Sequence, residues 1–101
     1  MTAEFGPYVQ MRKLAQQMAI QYQKDTNLVL APLAAHFMDE VEVNVASDRF
    51  DHAGFMEKIR GPLTLDAEVT LDPRRKEFLK AIADALQVRI QRELDTSSLP
   101  A

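Results

Sequence analysis

The 101-residue sequence contains no cysteine. This excludes a disulfide framework, a thiolate zinc site and a cysteine nucleophile. Its three glycines are scattered, so the sequence contains no glycine-rich loop to hold a phosphate. Long apolar runs are also missing, because stretches such as residues 28–31 fall far short of the ~20 residues that a membrane span requires.

The composition predicts a single folded domain. Apolar residues make up 47% of the chain, which argues against intrinsic disorder and allows one modest core. We expect a helical domain over residues 1–94 and a flexible tail over residues 95–101, which are small and polar. The opening residues MTAEFGPY lack the basic stretch and apolar run of a signal peptide. We therefore expect a cytoplasmic protein with no membrane segment and no cofactor.

The formal charge of −3 is distributed unevenly along the chain. Residues 1–24 carry three bases and one acid, residues 25–72 carry ten acids and three bases, and residues 73–101 carry six bases and four acids. This basic–acidic–basic order favours packing of the two end segments beside the middle segment. Attraction of a charged partner is the alternative interpretation.

Two amphipathic helices are predicted near the ends of the domain. Over residues 7–24, apolar residues recur at intervals of three and four, after a proline that suits the first helical turn. The last helix begins at Asp72-Pro73, an N-cap followed by a proline. Its apolar stripe consists of Phe78, Leu79, Ile82, Ala83, Leu86, Ile90 and Leu94.

The region between these two helices allows more than one interpretation. A second helix is predicted over residues 32–40, where apolar residues again follow the helical repeat. Residues 41–45 fit either a continuation of that helix or a half-buried strand, because three valines alternate with polar residues. A third helix is predicted over residues 49–60, with Ser47 or Asp48 as its cap.

Gly61-Pro62 is predicted to end the third helix, since proline lacks the amide hydrogen that a helix needs. The next nine residues alternate strictly between apolar and polar, which predicts a strand over residues 63–71. A lone strand needs a partner, either residues 41–45 or the same strand of a second copy. The predicted fold class is mainly α, or α+β with one or two short strands. We expect a compact bundle of three to four helices with a small β element near residues 63–71.

Two histidine–carboxylate pairs are the candidates for a metal site, although no metal is favoured. His36 and Glu40 are four residues apart, as are Asp48 and His52, a spacing that places both side chains on one helix face. Imidazole and carboxylate groups suit zinc, iron or manganese. The sequence lacks a two-histidine helix motif with its glutamate base, so a metal-dependent enzyme is the third functional interpretation.

A basic cluster at the start of the last helix is the candidate for an anion or nucleic-acid site. It consists of Arg74, Arg75, Lys76 and Lys80. Positive side chains at this end oppose the helix dipole, which favours anions there. The sequence pI of about 5.3 argues against a strongly basic nucleic-acid-binding surface. A nucleic-acid-associated factor is therefore the second functional interpretation.

The first helix carries the main indication of an interaction surface. Its non-core face is rich in glutamine, and amides cost less to desolvate than ions do. Val9 and Ile20 on this helix, and Val88 on the last one, lie opposite the apolar stripes. Together with the strand that needs pairing, these features predict an interaction surface formed by Val9, Gln16, Gln17, Ile20, Val69 and Val88. We therefore expect a non-enzymatic, homo-oligomeric protein–protein interaction module that acts as a regulator, an inhibitor or an assembly adaptor.

Overall fold

Four α-helices make up the structure, a computed structural model that describes residues 6–48 and 51–98. In chain order they are α1 (Gly6–Lys24), α2 (Leu30–Asp48), α3 (His52–Val69) and α4 (Pro73–Ser98). They form a compact four-helix bundle that measures 47 × 33 × 22 Å. The longest helix, α4, packs against the other three, and its interface with α3 is the most extensive.

The core is one continuous apolar cluster to which every helix contributes. Phe37 of α2, Phe55 of α3 and Phe78 of α4 are almost completely buried in it. Burial of a large apolar side chain stabilises the fold by about 1.5–3 kcal/mol relative to exposure. The predicted first helix and its core face are confirmed, with α1 contributing Met11, Ala15, Met18, Ala19 and Tyr22.

Residues 41–45 continue α2 and do not form a strand. Val41 and Val45 are buried, whereas Val43 between them is 63% exposed. Residues four apart share a helix face, so this burial follows the helical period of 3.6 residues. A strand would turn all three valines to one side. The helical interpretation of this segment is therefore confirmed.

The third helix begins at His52 and is capped by Asp51, so the predicted cap at Ser47 or Asp48 is wrong. The Asp51 carboxylate accepts a hydrogen bond from the backbone N–H of Gly54 at 2.9 Å, which satisfies a free donor of the first turn. Ser47 lies within α2 and donates its hydroxyl hydrogen to a backbone carbonyl of that helix. Residues 49–50, where the sequence predicts the helix to begin, lie outside the described residues.

α3 passes through Gly61-Pro62 and ends at Val69, so the predicted helix end at this dipeptide is wrong. An internal proline removes one backbone hydrogen bond and costs about 3 kcal/mol. This cost is offset by burial on both sides of the proline. Leu63, directly after Pro62, is fully buried, and Ile59, one turn before Leu63, is almost fully buried. Tertiary packing therefore outweighs the local preference of the dipeptide.

The predicted strand over residues 63–71 is also wrong. Its alternating pattern arises because apolar residues lie on both the inner and the outer face of one helix. Leu63 and Ala67 share the inner face of α3 and are buried. Leu65 and Val69 share the outer face and are 61% and 75% exposed. Within residues 6–48 and 51–98 the structure contains no strand, so pairing of strand edges between two copies has no structural basis.

The predicted start of α4 at Asp72-Pro73 is confirmed. Asp72 Oδ1 accepts hydrogen bonds from the backbone N–H groups of Arg74 and Arg75, at 2.9 and 3.0 Å. This helix continues to Ser98, beyond its predicted end. Residues 99–101 lie outside the described residues, and the boundary between a domain and a flexible tail stays a prediction.

Alanine replacements at Leu63 and Leu65 distinguish the helix from the predicted strand. We expect Leu63→Ala to lower the free energy of unfolding by about 2–5 kcal/mol, because it opens a cavity in the core. Leu65→Ala, the matched change on the outer face, should cost no more than about 0.5 kcal/mol. Urea denaturation followed by circular dichroism measures both values. Equal losses would contradict the helical arrangement.

Candidate interaction surface

An open groove lies between α1, the end of α3 and the start of α4. Its volume is about 290 Å³. Ile20 of α1 and Val69 of α3 both line it, together with the buried Leu79 of α4. We call this feature the α1/α3 groove, and it is lined by Gln16, Ile20, Asp66, Val69, Thr70, Arg75 and Leu79. Three of the six residues of the predicted interaction surface therefore lie in one groove: Gln16, Ile20 and Val69.

The helical repeat explains why apolar side chains point outward on both sides of this groove. On α1, Val9 and Ile20 are eleven residues apart, which is close to three full turns, so they lie on one stripe on the side of the helix away from its buried face. On α3, Leu65 and Val69 are four residues apart and form a second outer stripe. Leu71, just after α3, is 96% exposed. The C-terminal ends of the two stripes meet at the groove.

Asp66 joins α1 to α3 at the edge of the groove. The Arg12 guanidinium donates two hydrogen bonds to its carboxylate, at 2.9 and 2.7 Å, and the Gln16 side-chain amide donates a third at 2.7 Å. The bonds from Arg12 chiefly lower the pKa of Asp66, with a further contribution from Gln16, against an opposing effect of partial burial. The same contact raises the pKa of Arg12. The ion pair thus holds the two helices in register.

The side chain of Arg75 gives the groove a positive charge. Its Nε and Nη2 atoms donate to the side-chain oxygen of Gln23, a neutral partner, at 3.1 and 2.6 Å. Asp66 is the one acid among the described residues that line the groove, and Arg12 neutralises it. The Arg75 charge therefore has no counter-charge among those lining residues.

Lysines extend this positive character along the outer stripes. Lys13 follows Val9 by four residues on α1, and Lys24 follows Ile20 by the same interval, so each lies one turn further along the same side. Both lysines are exposed. The nearby acid Glu68 faces the other side of α3, where it lines a second groove with Lys76 and Lys80. The surface around the α1/α3 groove is therefore apolar with a basic rim.

The four bases of the predicted anion site do not act as one cluster. The Arg74 guanidinium lies 3.9 Å from the centre of the Tyr22 ring and donates to the backbone carbonyls of Asp25 and Leu28, at 3.3 and 3.2 Å. Arg74 therefore holds the α1–α2 turn against the start of α4. Arg75 points toward Gln23, as described above, whereas Lys76 and Lys80 are exposed in the second groove.

The candidate metal ligands whose side chains the structure describes do not converge either. His36 lies on α2 beside the α1–α2 turn, in an apolar depression with Pro32 and Leu33. His52, at the start of α3, has its Nδ1 atom 4.0 Å from the Glu93 carboxylate. Among the described residues, no group of three or more histidine and acidic side chains is placed to hold a metal ion.

The other two candidate metal ligands are Glu40 and Asp48. Glu40 lies on α2 one turn after His36, and its backbone carbonyl accepts a hydrogen bond from the Asn44 side chain at 2.8 Å. The side chain of Asp48 lies outside the part of the chain that the structure describes. The His36–Glu40 spacing is thus helical, as the sequence predicts, but no third histidine or acidic side chain in the described part of the chain joins these two to form a metal site.

The sequence located some of the surface residues and missed others. Gln17 is exposed on α1, and Val88 is 56% exposed on α4, opposite the buried Leu86, but neither lines the groove. Leu65 was missed, although its four-residue interval from Val69 would have indicated it once the segment was treated as helical. The contact between Arg12 and Asp66, which are 54 residues apart, has no local signal in the sequence.

Comparison with known proteins identifies no relative whose function could be compared with this surface. No protein-family model, curated protein or solved structure matches the chain. In the described ranges, none of the four helices combines the length and apolar character needed to cross a membrane. The function has to be inferred from the surface itself.

Replacing Asp66 with asparagine tests the ion pair through its pH dependence. Because the folded-state pKa of Asp66 lies below its ordinary value of 3.8, the contribution to stability is complete above that value and disappears as the pH falls through the folded-state pKa. We expect Asp66→Asn to lower the free energy of unfolding at pH 7 by about 1 kcal/mol. The difference from wild type should vanish at strongly acidic pH. Urea denaturation across this pH range checks the result, and a pH-independent difference would contradict it.

Replacing Arg74 with lysine separates a structural role from an anion-binding role. A lysine ammonium does not reproduce the planar stacking on Tyr22 together with the two carbonyl bonds. We expect Arg74→Lys to lower the free energy of unfolding by about 1–2 kcal/mol. As a control, Lys76→Ala at an exposed position of the same cluster should leave the free energy of unfolding within about 0.5 kcal/mol of the wild-type value. Unchanged stability of Arg74→Lys in thermal denaturation would contradict the structural role.

Proposed function

We propose that the protein is a non-enzymatic protein-binding module that uses the α1/α3 groove as its docking surface. The observation that carries this proposal is that outward-facing apolar side chains from two helices line one groove, half-buried Ile20 from α1 and exposed Val69 from α3. Val69, which is 75% exposed on α3, lines the groove with Ile20 of α1, and Leu65 and Leu71 near it in the chain are also exposed. Exposed apolar residues are common when they are scattered, but a contiguous patch is typical of a contact surface.

The polar groups around this patch also suit a covered surface. Gln16 lies in the groove and Gln17 is next to it in the chain, and amide side chains cost less to desolvate than charged ones. The Arg12–Asp66 pair already satisfies the charged groups at the groove edge with good geometry. A partner can therefore cover this region without leaving a buried carboxylate unpaired.

We propose a regulatory, inhibitory or assembly-adaptor role in the cytoplasm, with the protein itself as one of its binding partners. The absence of cysteine fits a reducing compartment. The dispersal of the candidate metal ligands and the internal use of Arg74 and Arg75 favour binding through the apolar groove over the two alternatives.

A capture experiment with two matched valine variants tests this proposal. Immobilised wild-type protein, Val69→Lys and Val88→Lys are each incubated with a lysate of the source organism, and the retained proteins are identified by mass spectrometry. Val69 lies in the groove and Val88 does not, yet both are exposed on helices. We expect Val69→Lys to lose specific partners that wild type and Val88→Lys retain, because a buried ammonium group lacks hydration.

Circular dichroism and urea denaturation provide the folding control for these variants. A lysine at the C-terminal end of α3 is compatible with the helix dipole, so Val69→Lys should fold as wild type does. Identical sets of retained proteins for all three baits would contradict the proposal. A loss that occurs with Val88→Lys and not with Val69→Lys would place the binding surface on α4 instead.

A further inference from the structure

We propose that the α1/α3 groove binds the outer face of α2 of a second copy, so that the protein associates head to tail. The proposal rests on the proposed function and names the occupant of the groove. It depends on two surfaces of the same chain that are complementary in apolar character and in charge, and that face different directions.

The outer face of α2 is the first of these surfaces. The stripe opposite the core consists of Pro32, Ala35, Asp39, Val43 and Ala46, at intervals of three and four residues, and all five are exposed. Val43 is 63% exposed, although Val41 and Val45 beside it are buried in the core. A helix that is apolar on two opposite faces is usually buried on both.

The charges of the two surfaces are complementary. Asp39 lies within the stripe on α2 and supplies its negative charge, whereas the flanking Glu42 is already paired with Arg89 of α4 in the same copy. The α1/α3 groove carries the charge of Arg75, which pairs with no acid among the lining residues, and is bordered by Lys13 and Lys24. The same contrast extends over the whole chain, since residues 25–72 are strongly acidic and residues 1–24 are basic. Complementary charge favours encounter of the two surfaces and sets their register.

The two surfaces do not meet within one copy. α2 packs on α1 at the side of Met11, whose sulfur lies 3.9 Å from the Asn44 side-chain nitrogen. Gln16, in the groove, follows Met11 by five residues and therefore lies about 140° away around α1. The outer face of α2 is directed away from the bundle. Contact between the two surfaces thus requires two molecules.

A symmetric dimer through the groove is disfavoured by the same charges. A two-fold axis through the groove would place the basic rim of one copy against the basic rim of the other, and like charges in contact destabilise an interface. Joining the groove of one copy to α2 of the next avoids this repulsion. Such a heterologous contact leaves one free groove and one free α2 face, and therefore builds a ring or an open chain.

Complementation between two interface variants tests this arrangement. Val69→Lys disables the groove and Val43→Lys disables the outer face of α2, while Val88→Lys is the control for an exposed valine outside both surfaces. Sedimentation velocity is measured for wild type, for each variant and for an equimolar mixture of the two interface variants. Circular dichroism confirms that each variant is folded.

Head-to-tail association gives a distinct set of results. We expect wild type and Val88→Lys to form concentration-dependent oligomers that weaken as salt is raised. Each interface variant alone should associate at least about tenfold more weakly. Their mixture should form a one-to-one dimer and nothing larger, because it contains one intact groove and one intact α2 face.

Two outcomes would overturn the inference. Wild type that stays monomeric at every concentration would exclude self-association. An associating wild type whose two interface variants fail to form a dimer when mixed would exclude the head-to-tail geometry. A monomeric wild type would remove self-association from the proposed function but not protein binding through the groove, because loss of other proteins from the Val69→Lys bait in the capture experiment would still show that the groove binds a partner.

Discussion

The packing of α3 against α4 is the interaction on which the rest of the structure depends. It keeps α3 helical through Gly61-Pro62, where local preference favours an end, because Leu63 and Ala67 are buried beyond the proline. The last turns of α3 then carry Asp66 to α1 and expose Val69 beside Ile20. If α3 ended at Gly61, neither the ion pair nor the groove would form.

The start of α4 fixes the other side of the groove. Asp72 caps the helix, and the two residues after Pro73 are held by α1: Arg74 through Tyr22 and the α1–α2 turn, and Arg75 through Gln23. Bases at a helix N-terminus oppose its dipole, and the neighbouring cap and the carbonyl partners offset this cost. Arg74 and Arg75, two of the four bases of the predicted anion site, thus also join α4 to α1, and Arg75 leaves one positive charge at the groove.

The uneven charge of the chain has two consequences. Within one molecule, the basic first helix meets acidic α3 through Arg12 and Asp66, as expected if the end segments pack beside the middle one. Between molecules, the proposed contact pairs the basic rim of the groove with Asp39 on the outer face of α2. The same distribution thus supports the fold and, in our proposal, the choice of partner.

By itself the sequence determined the helical class, the length of α1 and the start of α4, because these depend on the 3.6-residue repeat and on capping residues that act locally. It also indicated Ile20 and Val69 as surface residues, although for Val69 the reason was a strand that does not form. Only the tertiary structure decided that residues 63–69 are helical and that Arg12 meets Asp66. An alternating pattern is compatible with either one strand face or two helix faces, and the free energy of burying Leu63 against distant residues selects between them.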